Sequence, residues 1–243
     1  SPEVCMKRLL AAGYARLFQI CKCYRAGERG ARHLPEFTLL EWYRAGADYT
    51  ALMADCEDLV SFTAQQLGLG LSFTYQGQVF DLEPPWERIT VDEAFRRYAG
   101  MPVDEALAID RFDEILVEAI EPHLGFVKPT FLYDYPLPMA ALARKKSSNP
   151  RVAERFELYI CGMELANGFS ELTDVAEQRR RFEEAIEERR RLGKILSPIP
   201  ESFLDDLARM PESAGIALGL DRLVMAMTDS PTIDQVVAFT PEM

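Results

Sequence analysis

The sequence predicts an α+β fold, a mainly antiparallel β-sheet flanked by helices, formed as a single domain over residues 1–243. Three observations lead there. Strand-like and helix-like segments follow one another without the regular βαβ alternation of a parallel sheet. An apolar share of 48% in 243 residues is enough to bury a full core. No repeat or low-complexity linker divides the chain.

Residues 3–12, EVCMKRLLAA, read as a helix stopped by Gly13, and the apolar run 17–21 reads as a strand. A Gly- and Arg-rich loop leads to residues 37–43, whose β-branched and aromatic content favours a second strand. From 48 to 67 the set Leu52, Cys56, Leu59, Val60, Thr63 and Leu67 keeps helical spacing until Gly68. Residues 71–90 alternate around Gly77 and Pro84-Pro85, which predicts a hairpin and its exit loop, with a short helix over 92–98. Phe112, Ile115, Leu116, Ala119 and Ile120 predict an amphipathic helix over 110–124. Residues 130–135 read as a strand and 143–151 as an exposed loop. Strand character returns over 155–172. A charged helix follows over 174–192, with Asp174 and Glu177 spaced as a capping box, and 215–227 runs from a Gly-spaced strand into a helix.

With 39 Asp and Glu against 27 Lys and Arg the net charge is −12, which opposes capture by nucleic acid or an anionic membrane. No apolar run is long enough to span a bilayer, so no membrane partner is expected. The five cysteines, an odd number, together with a start that lacks a signal peptide, predict free thiols and a cytoplasmic protein. Cys21 and Cys23 have no second cysteine pair, and His33 and His123 lie elsewhere, which argues against structural zinc.

Three constellations carry chemistry. A two-residue turn at Cys161-Gly162 would pair Tyr159 with Glu164 and Glu157 with Ala166, so that Glu157 and Glu164 project from one face. Carboxylates so close must share a proton, find cationic partners or bind a divalent cation such as Mg²⁺; the plain alternative is two solvated side chains. Asn167-Gly168 permits a bulge or turn, after which Glu171 swings towards the same site. The second constellation is Arg25, Arg32 and His33 on the loop, followed by Phe37, Glu41 and Tyr43 on one face of the next strand. The arginines can hold phosphate oxygens and Phe37 a purine, while ordinary salt bridging is the alternative. The third is the Gly215–Gly219 strand leading to Arg222; its glycines leave room for a ligand near the backbone.

In this order and spacing the three segments resemble class II aminoacyl-tRNA synthetases, in the lysyl branch. Ser1-Pro2-Glu3 with Lys7-Arg8-Leu9-Leu10, and Arg25 through His33-Leu34-Pro35-Glu36-Phe37-Thr38 to Glu41-Trp42-Tyr43, resemble the substrate loop and class II motif 2. Glu164-Leu165-Ala166-Asn167-Gly168-Phe169-Ser170-Glu171-Leu172 is similar to the lysine-site strand, and residues 215–225 resemble motif 3. The resemblance spans essentially the whole chain. HLPEFTLLEWYR, the run Arg155-Phe156-Glu157-Leu158-Tyr159 before ELANGF, and Ala217 where lysyl-tRNA synthetases usually carry Gly look closest to the GenX-type paralogues. Those are ligases that attach (R)-β-lysine to a lysine of elongation factor P.

The resemblance implies an ATP-dependent, AMP-forming aminoacyl ligase with a class II catalytic domain. It implies that Arg25 and Arg222 act catalytically on the phosphates, and that Arg25, Arg32, His33, Phe37 and Arg222 bind ATP. Glu157 and Glu164 would carry Mg²⁺. Glu171 and Tyr43 would receive the ε-ammonium of lysine or (R)-β-lysine, Glu3 and Glu41 the other amine, and Asn167 the carboxylate, with Ser1, Gly168 and Ala217 lining the substrate site. Elongation factor P is the implied protein acceptor. tRNA is not expected, because no anticodon-binding domain precedes Ser1 and the acidic balance offers no surface for it. The chain starts just before the substrate loop, so the motif 1 segment is expected to be missing and the family's homodimer would lack much of its interface. Gly27 stands where the family has Glu in motif 2, with Glu28 one step later, so Glu28 substitutes through a loop shift or one contact is lost. A lysyl-tRNA synthetase catalytic fragment and a noncatalytic nucleotide- or partner-binding paralogue are the alternatives.

Overall fold

The computed structural model describes residues 1–242. Helix α1 (Glu3–Ala11) precedes strands β1 (Arg16–Tyr24) and β2 (Glu36–Ala45), after which α2 (Tyr49–Gln66) crosses the sheet. A hairpin of β3 (Ser72–Tyr75) and β4 (Gln78–Asp81) and strand β5 (Glu87–Thr90) lead to three short helices, α3 (Val91–Ala94), α4 (Val103–Ala108) and α5 (Phe112–Ile115). Then come β6 (Thr130–Pro136), β7 (Val152–Ile160), β8 (Met163–Ser170), α6 (Val175–Arg191), α7 (Glu201–Leu207), β9 (Ser213–Gly219) and α8 (Leu220–Met227).

Seven strands form one sheet in the order β1-β2-β9-β8-β7-β6-β5, antiparallel throughout except for β5 beside β6. This is the predicted α+β arrangement. One face is covered by α2 and α8, where Leu52, Cys56, Val60, Leu223 and Met225 pack on Phe131, Phe156, Leu158, Ile216 and Leu218. Each such side chain contributes roughly 1.5 to 3 kcal/mol when fully buried. Asp48 starts α2 by accepting from the Thr50 and Ala51 amides at 2.9 and 3.1 Å, which satisfies donors that have no partner inside the helix.

The opposite face is covered only at its two ends. Beside β2, Met6 and Leu10 of α1 and Phe203, Leu204 and Leu207 of α7 pack with Tyr43. Beside β6, Phe95, Phe112, Ile115 and Ile120 pack with Leu132, Tyr135 and Tyr159. The middle, over β2, β9, β8 and β7, is left for a ligand.

Several elements differ from the sequence reading, among them α4, which it did not foresee. The helix expected over 110–124 is α5, then a π turn at Leu116–Ile120 and a 3-10 turn at Glu121–His123, where Pro122 has no amide to donate. Helix α7 was not foreseen, because seven residues are too few to show a period. At α6 the Glu177 amide donates to Asp174, but the Glu177 carboxylate turns to Arg180 and Arg181 rather than back to the cap, so the capping box is half formed. In the loop after β6, Arg144 and Lys146 are tied to Glu154 and Asp134 at 2.8 and 2.5 Å, leaving Lys145 as the free cation among the three. No helix among the described residues is long and apolar enough to cross a membrane.

Candidate active site

The open face is a grid set by strand register. Across one row lie Glu41, Ala217, Asn167 and Glu157, paired strand to strand from β2 to β7. The next row holds Tyr43, Gly215, Phe169 and Arg155. Because side chains alternate along each strand, these residues all rise from the same face. The predicted shared face of Phe37, Glu41 and Tyr43 is part of this grid.

One end is an open cleft lined by Arg25, Arg32, His33, Phe37, Glu164 and Arg222. Arg222 is fixed there: it donates to the Glu164 carbonyl at 2.5 Å and the Arg32 carbonyl at 3.2 Å, and its guanidinium meets His33 Nε2 at 2.7 Å. Burial and the neighbouring Arg222 push the His33 pKa down, which keeps the ring neutral and able to accept from Arg222. Arg32 donates to the Gly162 carbonyl at 2.7 Å, and the Arg25 guanidinium lies 5.7 Å from the centre of the Phe37 ring. Asp221 ties β2 to the start of α8 by accepting from the Thr38 amide at 2.6 Å. Gly27 has φ +79°, a left-handed turn that brings Glu28 into the cleft with its carboxylate 3.2 Å from Arg25. The loop therefore presents a carboxylate at the site although the motif position itself is Gly.

The other end is closed. Glu41 is 1% exposed and Glu171 1%, and both carry carboxylates. Tyr43 donates to Glu41 Oε2 at 3.0 Å and Ser1 Oγ to Glu41 Oε1 at 2.5 Å. Burial pushes the Glu41 carboxyl up, against the pull of these two donors. Glu171 Oε2 faces Lys7 Nζ at 2.7 Å, and Glu3 faces the same nitrogen at 2.5 Å. Neither Glu171 oxygen accepts a hydrogen bond of good geometry among the described residues; Oε2 has the ion pair to Lys7, and Oε1 has no partner. It lies over Gly215, where a Cβ would stand 2.4 Å from that oxygen and 2.3 Å from the Tyr43 ring. A buried acceptor without a donor is costly, and a ligand ammonium would satisfy it. Ala217, one row along, borders the open cleft at the level of Glu41 and Asn167. Asn167 accepts from Arg155 at 3.3 Å. Gly168 turns the other way, since a Cβ there would meet Phe156 of the core at 2.7 Å.

The hairpin acids stand at the cleft side of the face, where Glu164 lines the cleft beside Arg222. The turn at Cys161-Gly162 and the Tyr159–Glu164 pair are as predicted, with Cys161 and Gly162 both at positive φ. The Glu157–Ala166 pairing is not. A bulge at Leu165 shifts the ladder so that Leu158 faces Ala166 and Glu157 faces Asn167. That extra residue places Glu164 and Asn167, three apart in sequence, on the same face. Glu157 accepts from Arg155 at 2.6 Å and Tyr159 at 2.9 Å, while partial burial and the charge of Glu157 push Glu164 up to about 7. Arg155 pairs with Glu157 and Arg222 lies 3.5 Å from Glu164, yet Glu164 is still raised, a shortfall of positive charge that a divalent cation with phosphate and water as its remaining ligands would meet. Among the described residues no three or more His, Cys, Asp or Glu are grouped to hold a metal alone.

Sequence reasoning assigned no role to Lys7 or Arg155 and missed Glu121. Tyr159 lies 3.1 Å from Glu121, which follows the broken helix beside the acid pair. No spacing rule could connect these residues, because Lys7 and Glu171 are 164 positions apart in sequence.

A six-strand antiparallel run whose open face carries arginines at one end and buried acids at the other is the catalytic-domain design of class II synthetases. The chain belongs to that family: residues 1–243 match the family model for class II tRNA synthetases (D, K and N). It is similar to a lysine–tRNA ligase of Moorella thermoacetica, with 39% identity over 98% of this chain and 53% of that enzyme. It is also similar to the elongation factor P (R)-β-lysine ligases of Salmonella dublin and Salmonella paratyphi B, with 41% identity over 99% of this chain and 76% of each ligase. The chain thus spans about half the length of the Moorella relative.

Proposed function

We propose that the chain activates a lysine-type amino acid, (R)-β-lysine in preference to α-lysine, as its adenylate and passes it to a lysine side chain of elongation factor P. The observation that carries this reading is the unpartnered Glu171 oxygen in a closed acid pocket, one row of the sheet from an arginine-lined cleft. The pocket suits an ammonium and the cleft a triphosphate.

In the first step a carboxylate oxygen of the amino acid attacks the α-phosphorus of ATP, and the bond to pyrophosphate breaks. Arg25 and Arg222 hold the charge that builds on the phosphoryl oxygens, and Phe37 supports the adenine. Arg32 and His33 serve the outer phosphates. Glu171 and Tyr43 hold the ε-amine, Glu3, Glu41 and the Ser1 hydroxyl the other amine, and Asn167 the carboxylate, so catalysis is mostly positioning. Glu157 and Glu164 would hold Mg²⁺, which supplies charge neutralisation at the phosphates. In the second step a neutral lysine amine of the acceptor attacks the adenylate carbonyl and AMP leaves.

Ala217 supports the β isomer, because its methyl group stands between Glu41 and Asn167, the residues that would hold the amine and carboxylate on the substrate backbone. The Moorella relative supports a second reading, formation of lysyl-tRNA. ATP–pyrophosphate exchange with (R)-β-lysine and α-lysine, with and without tRNA, separates the two. Preference for the β isomer followed by transfer to elongation factor P supports the ligase. Preference for α-lysine with charging of tRNA replaces it, and ATP binding without exchange points to a noncatalytic paralogue.

A further inference from the structure

Lys7 is a lysine with 2% exposure, one helical turn after Glu3 on α1. Its ammonium lies 2.7 Å from Glu171 Oε2, 2.5 Å from Glu3 Oε1 and 5.0 Å from the centre of the Phe169 ring. An ammonium held away from water needs charge partners, and so does a buried carboxylate. Here each supplies the other. Lys7 takes one oxygen of Glu171 and leaves Oε1 over Gly215 beside the Tyr43 ring.

We propose that Lys7 is a positioning residue of the amino acid pocket, a built-in counter-cation that opposes protonation of the buried Glu171 and holds its other oxygen aimed at the substrate amine. The inference rests on the reading above and assigns the origin of the pocket's demand for a cationic side chain. The groups facing Glu171 are Lys7 and Glu3 from α1 and Glu41 and Tyr43 from β2; β9 offers only Gly215. Lys7 is the cationic side chain among them. Burial raises Glu171 to about 8 against the pull of Lys7, and without Lys7 three carboxyl groups crowd the pocket and Glu171 holds its proton to still higher pH. A neutral carboxyl does not distinguish an ammonium from a hydroxyl of similar size.

The test is Lys7→Met, a neutral side chain of similar length, in ATP–pyrophosphate exchange over a range of pH. The expected result is a KM for the preferred lysine isomer raised about tenfold near neutral pH, with the acid limb of the profile moved up by about one pH unit and the KM for ATP unchanged. The direction follows from the charge: with Lys7 gone the Glu171 pKa rises, so binding recovers as pH rises through it. The variant should also lose the wild-type preference for lysine over 6-hydroxynorleucine as a competing ligand. Lys7→Gln, which keeps hydrogen-bond donors, serves if Lys7→Met fails to bind ATP or fold, with the same outcomes expected. An unchanged acid limb overturns the inference even if the melting temperature falls, since a purely structural lysine would show that. A lower KM overturns it too, because Lys7 would then be blocking the pocket. A wild-type chain that activates neither isomer overturns the functional reading and this inference together, whereas wild-type activity with an unshifted variant overturns the inference alone.

Discussion

The two ends of the sheet face differ in how they treat charge. The cleft end places Arg25, Arg32 and Arg222 in contact with solvent and fixes Arg222 through backbone carbonyls. The closed end holds Glu41 and Glu171 out of water and balances them with Tyr43, Ser1 and Lys7. A polyanion in open water can be met by several cations that share its charge. A single ammonium must be chosen by a group that is costly to leave unpaired. The difference teaches that affinity is spread at one end and discrimination is concentrated at the other.

The largest effect should come from Glu171→Gln. Loss of the buried carboxylate should cost about 3 kcal/mol, a hundredfold or more in kcat/KM for the lysine substrate, while ATP binding measured by calorimetry stays unchanged. Equal losses for both ligands would break the comparison. Arg222→Ala should cost about 2 kcal/mol, seen as weaker ATP binding and slower exchange, because the charge-assisted contacts of one guanidinium are removed. If it changed the lysine KM as much as the ATP KM, the two ends could not be treated separately. Gly215→Ala should lower the stability to thermal unfolding by roughly 1 to 3 kcal/mol, because the added methyl meets Tyr43 and Glu171. The smallest effect concerns His33. Its pKa is lowered in the folded state, so the unfolded chain binds more protons and stability rises with pH through the ordinary histidine range. His33→Gln should flatten the dependence of the melting temperature on pH between about pH 5 and 7.

Much of the open sheet face was legible in the sequence because a strand has period two. Phe37, Glu41 and Tyr43 had to share a face once residues 37–43 formed a strand, and Glu157 and Glu164 followed from a turn at Cys161-Gly162. Other features were not legible. The bulge at Leu165 has no signature in residue type, since Leu suits either side of a ladder shift, so Glu157 was paired with Ala166 instead of Asn167. Lys7 lies in the segment that resembles the substrate loop but has no role readable from it, and only the packing of α1 on β2 and α7 brings it to Glu171. The segment 110–124 kept a helical hydrophobic pattern that the structure breaks into three kinds of turn, and Glu121 reaches the acid pair from the last of them.

The bulge also constrains how this hairpin can be altered. Deleting Leu165 would restore an unbroken ladder, and alternation would then send either Glu164 or Asn167 into the packed layer with Phe156 and Leu158. Both polar residues can serve the face only while the strand carries one residue more than its partner. Substitutions at 165 that keep an apolar side chain are therefore permitted, whereas a change of length there is not, and loop grafting or recombination through this hairpin must keep its count of residues as well as their identities.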